Sequence, residues 1–218
     1  MKRYLIMLFA LLMVPTLLAA CSPGSKVYTG SPQDLLCLVE DLPGGAADFA
    51  PRENGISQQS NETLKSLALD VPGTNDYLFQ TGRVDGWMSD FLSSNRADPS
   101  RADEVFCQVV TFQTKAGAST ALNWDLPNEG VKFTPLNVDK KIGQDMRVDK
   151  GQYVDPQGNP FDIYHVQFQH QNLLGNIQVF FAAGMDQQKA LDFTLDVAQN
   201  LLERFQAAPM STPEAAQK

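Results

Sequence analysis

An α+β domain, with a mainly antiparallel sheet packed against two or three helices, is the fold class this sequence predicts, and three observations predict it. Strand-like runs follow one another closely, two of them are spaced for a hairpin, and the chain ends on a long amphipathic helix. Strands that neighbour in sequence pair most simply as antiparallel ribbons, and the apolar helix face then has a sheet to cover.

Taken in chain order, Ser31, Pro32 and Asp34 form a helix-start signal: a capping hydroxyl, a proline at the first helical position and a carboxylate near the positive end. The apolar stretch 35–39 fits either that helix or an extended segment, and Asp41-Leu42-Pro43-Gly44-Gly45 ends whichever forms. Residues 83–92 alternate Arg83, Asp85, Trp87, Ser89, Phe91 with Val84, Gly86, Met88, Asp90, Leu92, which predicts a strand partly buried on each face. The run 106–112 is more uniformly apolar and β-branched, as a central strand covered on both sides requires. A helix over 116–124 follows, with Ala118, Ala121 and Leu122 at helical spacing and Gly117 permitting close approach to a sheet. Residues 131–138 and 146–154 are weaker strand candidates. The strongest β signal is 161–169 with 176–181, joined shortly enough for an antiparallel hairpin. Last, 186–205 carries Leu191, Leu195, Ala198, Leu202 and Phe205 on one stripe, with Asp186 as its cap.

The chain opens with Lys2 and Arg3, an apolar run over 5–18, and Ala19 and Ala20 before Cys21, the order of a cleavable signal peptide. The run is shorter than a membrane span needs and is broken at Pro15. Leu18-Ala19-Ala20-Cys21 resembles the bacterial lipobox, which implies diacylglycerol on the Cys21 thiol; the alternative is an ordinary secretory signal followed by a cysteine. Two or more acyl chains, each methylene contributing about 0.8 kcal/mol in lipid, anchor a protein without any span. The expected organisation is a signal peptide over 1–20, a lipidated cysteine and flexible linker over 21–31, one domain over 32–207, and a disordered tail over 208–218. The linker is small and Pro/Gly-punctuated, and the tail holds Pro209 and Pro213 without apolar periodicity. A domain of about 175 residues can bury about 70% of its unfolded surface.

Removing the signal takes away two basic and no acidic residues, so the formal charge moves from -8 to -10. Such a body is repelled by nucleic acid and by anionic headgroups, and there is no Lys/Arg cluster as a local exception. The expected partners are therefore the membrane, through the anchor, and another envelope protein or a small ligand, with no nucleic acid.

Chemical motifs are sparse. There is no Gly-x-Ser-x-Gly elbow, no phosphate-cradling Gly-rich loop and no Cys-x-x-Cys pair. His165 and His170 are five residues apart on one expected strand, which puts them on opposite faces. One partly exposed and one core-satisfied histidine is the reading favoured over a shared metal or a catalytic pair. Asp155, Asn159 and Asp162 around Pro156-Gln157-Gly158 fit a turn better than a calcium loop, which needs more oxygen ligands. With Cys21 acylated, Cys37 and Cys107 remain as a pair outside the reducing cytoplasm, and a disulfide is expected; two buried free thiols or a reactive thiol are the alternatives.

Asp41-Leu42-Pro43-Gly44-Gly45, then Gly82-Arg83-Val84-Asp85-Gly86-Trp87, then Val109-Val110-Thr111-Phe112-Gln113-Thr114 with Gly117-Ala118, and Arg204 near the end of the closing helix, stand in an order that resembles exported bacterial lipoproteins with a PsbP-like sandwich. The resemblance covers most of residues 33–206. It implies a fold, an extracytoplasmic address in the cell envelope, and a binding or accessory role, with no reaction and no cofactor. The expected function is thus a membrane-anchored, noncatalytic module. A small-molecule carrier is the alternative, with a pocket lined by aromatics such as Trp87, Trp124, Tyr164 or Phe168. An extracytoplasmic hydrolase is a third class, and it needs a convergent acid/base or nucleophile/base pair.

Overall fold

The period-two patterns of this chain fold into one large antiparallel sheet whose two faces have different chemistry. The computed structural model describes residues 26–67, 73–95, 98, 100–124 and 131–212. The expected signal peptide, the lipid-bearing Cys21 and the tail beyond 212 lie outside the described residues. The strands are β1 Val27–Tyr28, β2 Phe49–Pro51, β3 Ser57–Gln58, β4 Arg83–Ser93, β5 Ala102–Phe112, β6 Thr134–Pro135, β7 Asp145–Val154, β8 Pro160–His170, β9 Leu173–Ala182 and β10 Met210–Ser211. The helices are α1 Gly45–Asp48, α2 Asn61–Leu67, α3 Thr74–Thr81, α4 Lys115–Leu122 and α5 Gln187–Ala207.

The main sheet has eight strands in the order β2-β4-β5-β9-β8-β7-β6, with β3 also paired to β4. All its pairs are antiparallel, so the α+β class stands. On one face Val105, Cys107 and Val109 of β5, Tyr164, Val166 and Phe168 of β8, and Ile177, Val179 and Phe181 of β9 form the main core under α5. On the other, Val110, Phe112 and Leu174 are covered at one end only, by Tyr77 of α3 and Ala118, Ala121 and Leu122 of α4. The expectation that 106–112 is covered on both sides therefore holds for half the strand. Phe106 and Gln108 lie beyond the helices and are only half-buried.

The start signal at Ser31 is realised as a short 3-10 turn, Pro32–Leu35, with the Ser31 hydroxyl accepting from the Gln33 N–H at 3.3 Å. Gly117 does not approach the sheet: a Cβ there would lie 2.0 Å from the Thr81 carbonyl oxygen, so the missing side chain lets α4 pack on the end of α3. Only Thr134–Pro135 of the 131–138 stretch pairs with β7. Val27 and Tyr28, in the stretch read as linker, are buried and pair with Ser211 and Met210, in the stretch read as tail. Asn172, in the β8–β9 turn, secures this ribbon by accepting from the Tyr28 N–H at 2.7 Å and donating to the Tyr28 carbonyl at 3.0 Å. The folded unit therefore reaches further than 32–207 at both ends.

Candidate ligand-binding site

Beyond the edge of α3 and α4, the second sheet face forms the floor of a cavity of about 510 Å³, within the usual range for small-molecule sites. Register decides what this floor presents. Gln108 of β5 lies opposite Asn176 of β9, Asn176 opposite Gln167 of β8, and Gln167 opposite Arg147 of β7. Two residues along, Phe106, Gln178, His165 and Asp149 form a parallel row by the same pairings. Because alternate residues share a face, the apolar partners of both rows point into the main core. With strands about 4.8 Å apart and alternate residues about 7 Å apart, the two rows cover roughly 14 Å by 7 Å.

The rows are cross-linked. Asn176 donates its amide N–H to Gln108 Oε1 at 3.0 Å, and its Oδ1 lies 2.7 Å from His165 Nε2. The Asn176 oxygen needs a donor, so the proton belongs on Nε2, and the neutral ring leaves Nδ1 as an acceptor. Burial pushes the His165 pKa down, against the raising influence of Asn176 and Asp149, and Arg147 lowers it further. Asp149 is 1% exposed; its Oδ2 accepts from Arg147 Nε at 2.7 Å and lies 3.8 Å from His165 Nδ1, while its Oδ1 has no hydrogen-bond partner among the described residues. A buried carboxylate oxygen without a donor is costly, on the order of 1–3 kcal/mol.

Side chains from three other segments close the walls. Val131 and Phe133 lie over Gly151 of β7, with the Phe133 ring 5.3 Å from the His165 ring. Trp124 packs edge-on to Tyr77 at 5.8 Å. Arg83, at the far end, folds back across Gly86, where a Cβ would stand 2.3 Å from its Nη2. Its guanidinium donates to neutral oxygens, Asn61 Oδ1 at 2.6 Å and the Gln59 carbonyl at 2.5 Å. Burial lowers the Arg83 pKa and raises that of Tyr77 beside it. The Gly82-to-Trp87 motif thus has a physical use: Gly82, at φ 59°, ends α3, and Gly86 makes room for the arginine. A smaller hollow of about 290 Å³ extends the cavity past Phe133 and Gln178 toward Tyr153 and Phe180.

Of the aromatics expected to line a carrier pocket, only Trp124 does so. Tyr164 and Phe168 belong to the α5-side core, and Trp87 packs on the same core with its Nε1 donating to Asp85 Oδ2 at 3.2 Å. His165 and His170 fall on opposite faces of β8. His165 lies in the cavity rather than among apolar core neighbours, while the His170 pKa is lowered mainly by burial and further by Lys115. Asp155 accepts from the N–H groups of Gln157 and Asn159 and from the Asn159 side chain, which makes 155–159 a hairpin turn. Among the described residues, no three His, Cys, Asp or Glu side chains converge as metal ligands would. Among the described cavity residues there is no Ser, Thr or Cys for His165 to activate, and Asp149 has no second carboxylate beside it.

Sequence reading singled out Trp124 and His165 but missed Arg83, Gln108, Arg147, Asp149, Asn176 and Gln178 as members of one site. Their signal was the polar half of each strand's alternation, which also describes an ordinary solvated sheet face.

Cys37 and Cys107 form a disulfide with Cα atoms 6.0 Å apart, on the core face away from the cavity. Among the described residues no helix is long and apolar enough to cross a membrane. No family model matches the chain, and no curated protein matches it in sequence. Among solved structures, the chain is similar to the extracellular domain of PknH from Mycobacterium tuberculosis at 12% identity, covering 81% of this chain and 98% of that domain with a TM-score of 0.43. The PsbP-like resemblance rests on its quoted motifs alone.

Proposed function

We propose that this protein is a lipid-anchored, extracytoplasmic binding module that holds a small polar ligand in the cavity on the open sheet face. The observation that carries the reading is the pair of registered polar rows, one of them ending in a buried carboxylate oxygen that has no donor among the described residues. A buried carboxylate oxygen is costly unless something pairs with it, and a cavity of this size admits a small ligand beside the half-buried amides of the floor. The Cys37–Cys107 bond supports an oxidising address, and the signal with Cys21 supports the anchor.

Two measurements test the two halves of this reading. Wild type should incorporate labelled fatty acid, and Cys21→Ser should lose the label and accumulate as unprocessed precursor; equal labelling of the two would remove the anchor. For the cavity, native mass spectrometry of the mature protein in detergent should show a bound small molecule when it is purified from its own envelope. Asn176→Leu, which cuts the link between Gln108 and His165, should release that molecule while the fold, followed by circular dichroism, persists. Retention of the same adduct by the variant would place the ligand elsewhere.

A further inference from the structure

The place where the chain enters the fold decides which part of the domain a membrane can meet, and this inference rests on the Cys21 anchor proposed above. Cys21 and Lys26, the first described residue, are five residues apart. An extended backbone advances at most about 3.6 Å per residue, so Lys26 stays within roughly 18 Å of the lipidated cysteine. The sheet is longer than that: β8 spans 11 residues, roughly 36 Å at about 3.3 Å each. The domain is therefore held by one end of its sheet.

Hydrogen bonds identify what else stands at that end. Asn172, whose side chain secures Tyr28, also donates to the Phe112 carbonyl at 2.8 Å, and its own carbonyl accepts from the Phe112 N–H at 3.0 Å. The next residue, Gln113, donates its N–H to the Gly82 carbonyl at 2.9 Å. The β1–β10 ribbon, β9, β5 and the end of α3 thus lie side by side, and three strand spacings put Gly82 roughly 15 Å from Tyr28. The opposite end of the sheet carries the 155–159 turn and the start of α5.

Phe79, in the last turn of α3, is 86% exposed, and Val84, two residues beyond Gly82, is 53% exposed. Helix geometry explains Phe79: Tyr77 and Thr81, four apart, are buried, and a residue two positions from each lies on the other face. Gln80, Gln113 and Thr114 around the pair are exposed and uncharged. Scattered exposed hydrophobics are ordinary on a protein surface; the tether sets these two apart. One aromatic contact is too weak to recruit a free protein to a bilayer. On a domain already held there by lipid the same contact is intramolecular and competes only with rotation of the domain. The rest of the body is strongly acidic and is repelled by anionic headgroups, which favours contact through this corner.

We propose that Phe79 and Val84 dock on the bilayer that carries the Cys21 lipid, with the Phe79 ring in the headgroup layer and the 155–159 turn pointing away from the membrane.

The test uses the mature lipidated protein on vesicles of phosphatidylethanolamine and phosphatidylglycerol. With Cys21 acylated and Cys37 bonded to Cys107, wild type should take up no thiol-reactive fluorophore, so Gln80→Cys and Gln157→Cys, both at exposed positions, each carry one label. Doxyl-labelled lipid in the vesicles should quench most of the emission at position 80 and leave position 157 at its vesicle-free level. Adding Phe79→Ser to Gln80→Cys should restore most of the lost emission while circular dichroism stays unchanged. Equal quenching at 80 and 157, quenching at 80 that survives Phe79→Ser, or no quenching at 80 on protein that sediments with the vesicles, overturns the docking while the anchor stands. A wild type that takes the label on Cys21, or that fails to sediment with the vesicles, removes the anchor and the docking with it.

Discussion

Reduction of the Cys37–Cys107 bond should lower the stability of the domain by about 4 kcal/mol, the largest single loss expected from breaking one covalent link in this fold. The bond closes a separation of 70 residues, and on the chain-entropy account a loop of that length confines the unfolded chain by that amount, less whatever structure the denatured ensemble retains. It ties the segment after the 3-10 turn to β5, at the centre of the sheet. Cys37 is 2% and Cys107 0% exposed, and the Ser89 hydroxyl donates to the Cys37 carbonyl at 3.3 Å beside the bond. Leu35, Leu36 and Leu42 are buried on either side, so the link fixes a segment that would otherwise rely on a few side chains. In urea, with a slope of about 2 kcal/mol per molar, the midpoint should fall by about 2 M on reduction. The double variant Cys37→Ala/Cys107→Ala should be equally low and insensitive to reductant. A midpoint that reductant leaves in place would show that the bond contributes nothing. Ligand binding below the transition should not change, since Cys107 points away from the cavity.

Sequence made the scaffold more legible than the site because the two rest on different statistics. The hairpin of β8 and β9, the central β5 and the closing helix each bury one apolar periodicity, and burial leaves a pattern in a single chain. Helices α2 and α3 were not foreseen: neither carries a long apolar stripe, and α3 is held through Tyr77 and Thr81 against α4, a tertiary contact. The cavity floor depends on register, which sets Asn176 opposite Gln108 and Gln167, and on the 131–133 segment folding over β7. Neither is encoded within one strand. The cysteine pair was legible because counting thiols and naming the compartment leaves few choices. The buried Asp149 was not, because a carboxylate in a weak strand reads as solvated until the structure shows its Arg147 partner.

Leu195→Ala should cost about 2 to 5 kcal/mol, enough to unfold a domain of ordinary stability at elevated temperature. The expectation rests on the way α5 seats on the sheet. Asp186 caps it by accepting from the Lys189 N–H at 2.9 Å, and the helix then crosses β8 and β9. The predicted stripe of Leu191, Leu195, Ala198, Leu202 and Phe205 is buried, and Ala190, Thr194, Val197 and Leu201 widen it. A face this broad is that of a helix built into a core rather than one lying on a surface. Leu195 is 4% exposed, within the cluster that holds Tyr164, Phe168 and Phe181. The Phe168 and Phe205 rings are 5.5 Å apart and those of Phe181 and Phe193 5.9 Å. Interlocked rings relax little into a vacated volume, so the cavity left by the lost methyl groups should persist and the cost should fall in the upper half of the range. Lys189→Ala, one turn and a half earlier on the exposed side, should stay within about 0.5 kcal/mol. Urea denaturation of the two variants beside wild type reads both numbers. Similar small losses for the two would mean that α5 is not seated by this face, and the two-sided sheet that leaves the opposite face free for a ligand would need a different account.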